Sequence, residues 1–210
     1  MVRKLTMPPG GPSTDQIEQI GSVLDQGELA ILPTDTIYGF HAAALDPDAV
    51  DSIRSIKGRR DDKPIVVLCS GFEQIRHLGG RPAPEAEEFL RGTWPAPLTA
   101  ILPLVEPIPP SSGEATLAVR VPDLAWLRNL LDRTGPLVST SVNRSGEPPC
   151  NDLHDTAPDL LERVAVILDQ GPLEGRASTV IDMTVGTPRV LRQGEFFFSQ
   201  KLWKSVRKTL

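Results

Sequence analysis

The stretch that most constrains this chain is residues 28 to 41, ELAILPTDTIYGFH, where an apolar run stops at a proline and gives way to a polar, threonine-rich segment. Leu29, Ala30, Ile31 and Leu32 are consecutive apolar residues, the pattern of a strand buried on both faces rather than one that alternates. Pro33 lacks an N–H and ends the pairing. Thr34, Asp35, Thr36 and Tyr38 then set three hydroxyls and a carboxylate at the strand exit, and Gly39 frees the backbone to turn. A strand buried on both faces needs helical cover, and sheets with such cover gather ligands at strand exits. Taken alone, the same residues also make an ordinary polar turn with a capping aspartate.

A chain of 210 residues suits one well-filled core, so one domain is expected over residues 13–210, after an extended lead-in over 1–12 that holds Pro8, Pro9, Gly10, Gly11 and Pro12. With 23% charged and 40% hydrophobic residues and no apolar run near the ~18 residues of a membrane span, a soluble protein without a membrane segment is expected. No apolar stretch follows the two early cations, which makes the cytoplasm the expected compartment. Cys69 and Cys150 are far apart and lack metal-ligand spacing, so they read as incidental thiols. A net charge of −5 argues against a surface wholly given to nucleic acid, although a basic cavity can sit within an acidic total.

Helices are expected from a Ser13 or Thr14 cap to Gly27, from Asp46 and Pro47 to about Gly58, from Pro84 to Arg91, from an Asp123 cap through Leu131 to Gly135, and from about Asp155 to Arg163. Strands are expected at Ile65–Cys69, at Leu98–Val105 near a sheet edge because of Pro103, at 116–122, at the start of 137–149, at Val164–Leu168, 177–182 and 189–192, before a basic closing helix. Trp94, just before Pro95 and Pro97, reads as a structural corner.

Three loops carry candidate chemistry. After the second helix, KGRRDDKP puts four cations and two acids in seven residues; a helix C-terminus explains such a cluster through its dipole, and a polyphosphate explains it through charge-assisted donors. In TLAVRVP, Arg120 interrupts an apolar strand and must face either a structural carboxylate or an anionic ligand. The stretch STSVNRSG repeats the strand-to-hydroxyl-loop theme of the opening segment. There is no GxxxxGK followed by Ser or Thr, no GxGxxG after a strand, no HExxH and no GxSxG, so neither a P-loop, a histidine metal site nor a serine nucleophile is marked.

PTDTIYGF at 33–40, KGRRDDKP at 57–64 and STSVNRSG at 139–146, followed in order by WPAPLT, TLAVRVP, ASTVID and VLRQG at their places in the chain, resemble the YrdC-like family of threonylcarbamoyl-adenylate synthases over nearly the whole length. The family's Lys-x-Arg with Ser-x-Asn signature is present as Lys57, Arg59, Ser141 and Asn143. The resemblance implies a three-layer α/β domain around a twisted mixed sheet with a basic cavity. It also implies condensation of L-threonine, bicarbonate and ATP to threonylcarbamoyl-AMP and pyrophosphate, for downstream tRNA-modifying threonylcarbamoyl transferase proteins. Position by position, Thr36, Arg120, Ser139 and Ser178 would hold threonine; Arg59, Lys63, Thr116, Ser141 and Arg192 would hold ATP; Lys57, Arg59 and Asn143 would act in catalysis. ATP would be a substrate accompanied by Mg²⁺, with no protein metal site. Departures fall at Leu68, at Phe40-His41, at Pro149-Cys150-Asn151 and at Gln193. The rival expectation is an RNA-binding translation or ribosome-maturation factor using the same cavity; one Tyr and three Trp offer little on which to stack bases.

Overall fold

The computed structural model of the protein describes residues 1–57 and 64–206. Among them ten strands form one mixed sheet: β1 (Arg3–Thr6), β2 (Ala30–Leu32), β3 (Gly39–Ala43), β4 (Val66–Leu68), β5 (Leu98–Pro103), β6 (Thr116–Arg120), β7 (Leu137–Ser141), β8 (Val166–Asp169), β9 (Thr179–Asp182) and β10 (Arg189–Arg192). Their spatial order is β1-β8-β2-β3-β7-β4-β6-β5-β9-β10. The helices are α1 (Thr14–Asp25), α2 (Pro47–Ile56), α3 (Phe72–His77), α4 (Pro84–Arg91), α5 (Ala125–Thr134), α6 (Pro158–Leu161) and α7 (Gln200–Val206). This is the expected three-layer α/β arrangement.

Helix starts follow local chemistry. Ser13 Oγ accepts from the Gln16 N–H at 3.2 Å while Gln16 Oε1 accepts from the Ser13 N–H at 3.0 Å, a reciprocal cap on α1. Asp46 accepts from the Asp48 and Ala49 N–H groups, and Pro47, which has no N–H to leave unpaired, opens α2.

Side chains alternate across a strand and in-register partners share a face, so the sheet divides cleanly. One face is mainly apolar: Ile31, Phe40, Val67, Leu98, Leu117, Val119, Val138, Ile167 and Ile181 join Val50 and Ile53 of α2, Phe89 and Leu90 of α4 and Trp203 of α7 in one core. The opposite face is split. Ala30, Leu32, Leu68, Leu137, Val166 and Leu168 pack under Ile20 and Leu24 of α1 and Leu127, Leu130 and Leu131 of α5, each buried leucine contributing about 1.5–3 kcal/mol. On that same face the register pairs Gly39 with Ser141, His41 with Ser139 and Leu68 with Arg120. There the apolar cover gives way to a polar cavity.

Several elements differ from expectation. Residues 39–43 are strand rather than loop, because Gly39, Phe40 and His41 pair with β2 and the segment pairs again with β7. β5 is interior, between β6 and β9; Pro103 is tolerated because pairing with β9 ends at Ile101. The helix expected from 155 is a short 3-10 turn, Leu153–Asp155, and the four residues of α6, which Pro158 starts. Helix α3 carries no early signal and was not expected. Asp123 does not cap α5; its own N–H donates to Asp35 Oδ2 at 3.1 Å. Within the lead-in, Arg3–Thr6 pairs in parallel with β8. Trp94 is a corner, its Nε1 donating to the Leu98 carbonyl at 2.7 Å.

Tyr38 ties the entry of β3 to the exit of β8. Its fully buried ring places the hydroxyl to donate to the Gly171 carbonyl and to accept from the Gln170 N–H, each at 2.8 Å, and burial holds the phenol up at about 12. Tyr38→Phe strands a carbonyl and an N–H, so we expect urea denaturation to show a loss of about 1–3 kcal/mol; a change below about 0.5 kcal/mol would mean these groups find other partners.

Candidate active site

The cavity holds about 490 Å³, within the range of small-molecule sites. Thr36, Lys57, Arg120, Ser139, Ser141, Asn143, Ser178 and Arg192 all line it. Of the other residues expected at the site, Thr116 is not in the lining: it opens β6, four residues before Arg120, about 13 Å along the strand. Arg59 and Lys63 lie outside the described residues.

Residues 33–38 connect β2 to β3 as a loop organised by one hydroxyl. Thr34 Oγ1 accepts from the Thr36 and Ile37 N–H groups at 3.2 Å each and lies 2.8 Å from both Thr36 Oγ1 and the Ile37 carbonyl, a threonine turn that substitutes for a backbone ladder. Gly175 closes over it: a Cβ there would stand 2.0 Å from the Thr36 carbonyl oxygen. That contact requires glycine.

Arg120 meets this loop from the centre of the sheet. Its Nη2 donates to Asp35 Oδ1 at 2.6 Å and its Nη1 to Thr36 Oγ1 at 2.9 Å, with Arg120 and Asp35 side chains only 6% and 9% exposed. Nε has no partner. Of the two alternatives open in the sequence, the carboxylate is present, and Arg120 also lines the cavity, where it can meet an anion. Burial lowers its affinity for the proton, Asp35 opposes this and Arg192 adds to it; an arginine stays charged at working pH regardless. Asp35 was missed as a site residue, and the readable signal was the lone arginine in an apolar strand.

Lys57, just past α2, is 4% exposed. Its Nζ donates to the Ser141 carbonyl at 2.8 Å and to the Asn143 carbonyl and Oδ1 at 2.7 Å each, and Ser141 Oγ donates to Asn143 Oδ1. Asn143 Nδ2 donates to the carbonyls of Arg144 and Glu147, fixing the following turn. Three members of the signature are thus one bonded unit. Across the cavity Ser178 Oγ lies 2.8 Å from Thr99 Oγ1, and Arg192 from β10 donates through Nη2 to the Ser178 carbonyl at 2.9 Å. Thr99 is a second residue that sequence reasoning missed; inside an apolar strand nothing local marks it.

Under the lining, His41 is fully buried on β3 with Nε2 3.3 Å from Ser139 Oγ. Burial depresses its pKa to about 3; the Gly39 backbone partly opposes this, and the Arg120 charge adds to it. Among the described residues no helix is long and apolar enough to cross a membrane, and no group of three His, Cys, Asp or Glu could hold a metal ion.

Comparison with known proteins places this geometry among relatives. The sequence model of the Sua5/YciO/YrdC family, described as telomere recombination, matches residues 22–194. The chain is 38% identical over 173 residues to the threonylcarbamoyl-AMP synthase of Pyrococcus abyssi, covering 80% of this chain and 51% of that one. It is 31% identical over 185 residues to the threonylcarbamoyl-AMP synthase of Vibrio parahaemolyticus, covering 86% of this chain and 100% of that one. Among solved structures, Sua5 of P. abyssi complexed with L-threonine superposes with a TM-score of 0.83 at 33% identity, over 92% of this chain and 57% of that one. The chain therefore spans about half of the archaeal relative and the whole of the bacterial one.

The buried histidine makes stability sensitive to acid. In the unfolded chain His41 takes up a proton below about pH 6.5, whereas folded His41 stays neutral to about pH 3. Its contribution is therefore complete above the unfolded value and is lost as pH falls, by about 1.4 kcal/mol per pH unit. Urea midpoints at pH 6.5 and 4.5 should converge in His41→Leu relative to the native chain; an equal drop in both proteins would show that His41 is not the group responsible.

Proposed function

The chain belongs to the Sua5/YciO/YrdC family, and from that premise we propose that it is a threonylcarbamoyl-AMP synthase, joining L-threonine, bicarbonate and ATP. The observation that carries this reading is one cavity lined both by Arg120 with the hydroxyls of Thr36, Ser139 and Ser178 and by the bonded set Lys57, Ser141 and Asn143. The first group suits an amino acid: a buried guanidinium for the carboxylate and short hydroxyls for the amine and side-chain oxygen. The second faces the nucleotide. Arg192 joins it, and Arg59 and Lys63, which follow Lys57 in the same cationic stretch of sequence, supply the cations a triphosphate requires.

In this reading the threonine amine is first carboxylated by bicarbonate, with loss of water. An oxygen of the resulting carbamate then bonds to the α-phosphorus of ATP as the bond to pyrophosphate breaks. No protein nucleophile is needed. The residues act by holding the two partners in line and by stabilising charge that grows on the phosphoryl oxygens. Lys57 contributes chiefly by fixing Ser141 and Asn143, since its ammonium already donates to that loop. Mg²⁺ suits a site of hydroxyls and one carboxylate: Glu147 lines the cavity and offers a hard oxygen ligand. Bound with the triphosphate, the ion would neutralise phosphate charge. Thr116, at the opening of β6 about 13 Å from Arg120 along the strand, is proposed to meet the far end of the nucleotide. The product is proposed to pass to tRNA-modifying transferase proteins.

The direct test is threonine-dependent pyrophosphate release from ATP and bicarbonate, with the labelled product identified as threonylcarbamoyl-AMP. Its absence under conditions where a relative turns over would overturn the reading. Two substitutions divide the site. Arg59→Ala should lower kcat/KM for ATP by roughly two decades with little change in melting temperature; melting with normal turnover per folded molecule would mark a structural ion-pair partner. Arg120→Lys keeps the charge beside Asp35 but loses the planar fork, so KM for threonine should rise about tenfold with KM for ATP nearly unchanged.

A further inference from the structure

His41 does not line the cavity, yet it touches a residue that does. It stands directly opposite Ser139 on the paired strands β3 and β7, with Nε2 3.3 Å from Ser139 Oγ and Nδ1 without a hydrogen-bond partner. The ring lies across Gly39, where a Cβ would fall 2.8 Å from Cε1 and 3.2 Å from both Nε2 and Ser139 Oγ. Gly39 thus leaves the space through which the imidazole reaches the serine. An aliphatic side chain would fill that space without burying an unpaired nitrogen, so simple packing does not account for the contact.

Neutral imidazole carries a single proton. On Nδ1 it would be a buried donor without a hydrogen bond of good geometry among the described residues, the rarer kind of orphan; on Nε2 it is donated to Ser139 Oγ. A serine oxygen that accepts from below keeps its own proton for the cavity side. We propose that His41 is a positioning residue that sets Ser139 as a hydrogen-bond donor to an oxygen of bound L-threonine. This rests on the reading of the cavity as a threonine site. His41 itself touches no substrate. Its neutral state, held by burial, keeps the direction of the Ser139 bond constant over the working pH range.

The experiment compares His41→Leu, which keeps apolar bulk, with His41→Gln, whose amide reaches the place of Nε2, each alone and combined with Ser139→Ala, in the pyrophosphate-release assay. In His41→Leu, KM for threonine should rise about tenfold while KM for ATP stays within about twofold. His41→Gln should recover most of the loss, and in the Ser139→Ala background the leucine substitution should have no further effect. An unchanged KM for threonine, a parallel rise for both substrates, or an effect that persists without Ser139 would overturn the proposal. A wild-type protein without threonine-dependent turnover would instead remove the site reading and this proposal with it. Should the variants not fold, ¹⁵N spectra of the wild-type imidazole decide: an Nε2–H tautomer whose resonance moves on addition of L-threonine is expected. An Nδ1–H tautomer, or no response at saturating threonine, overturns it.

Discussion

The ion pair between Arg120 and Asp35 is the interaction on which the site depends. A guanidinium in the middle of a sheet is tolerable only when its charge is met and its N–H groups are occupied, and the partner comes from 85 residues away, from the loop that leaves β2. One carboxylate does two things there. Its Oδ1 holds Arg120 and its Oδ2 accepts the Asp123 N–H at the end of the strand that carries Arg120. The loop and the strand are thus clamped at two points. Thr36, bonded to both Arg120 and Thr34, is oriented by the same contact, so the guanidinium and its neighbouring hydroxyl are held in fixed positions.

That clamp is possible because the sheet has two unlike faces. On the face packed against α2, α4 and α7, apolar residues dominate the central strands. On the other, α1 and α5 cover only part of the width, and the strands switch from leucine and valine to Ser139, Ser141, Gly39 and Arg120 in register with one another. A one-residue slip in β7 would send its serines into the apolar core and Val138 into the cavity. The hydrophobic pattern therefore positions the polar site as firmly as it positions the core.

Much of this was legible in the chain, and the limit is physical. The helices α1, α2 and α4, and the stop of α5 at Gly135, announce themselves through caps, prolines and glycines acting within a few residues. The strands β2, β4, β6 and β7 show as apolar runs ending in polar loops. Segment GFHAA was not readable as β3, since a glycine and a histidine weaken the local preference and its partner β7 lies about a hundred residues on. Pro103 misled for a related reason: whether a proline faces a neighbouring strand is decided by where that neighbour ends. At the site, the hydroxyl loops and Arg120 could be named from type and spacing. Asp35 as its partner, Thr99 behind Ser178 and His41 behind Ser139 are products of register, which no local pattern records.

The same distinction separates what Lys57 resembles from what it does in the fold. By sequence it heads a cationic run, and a run of cations suggests contact with phosphate. In place, an ammonium has three donors, and those of Lys57 meet the Ser141 carbonyl and two oxygens of Asn143. Breaking these bonds would leave a buried charge and several carbonyls to be satisfied at once. In the fold its bonds join the end of α2 to the end of β7. In the proposed adenylyl transfer, which works by alignment rather than by a protein nucleophile, such a joint would help keep the two substrates in line.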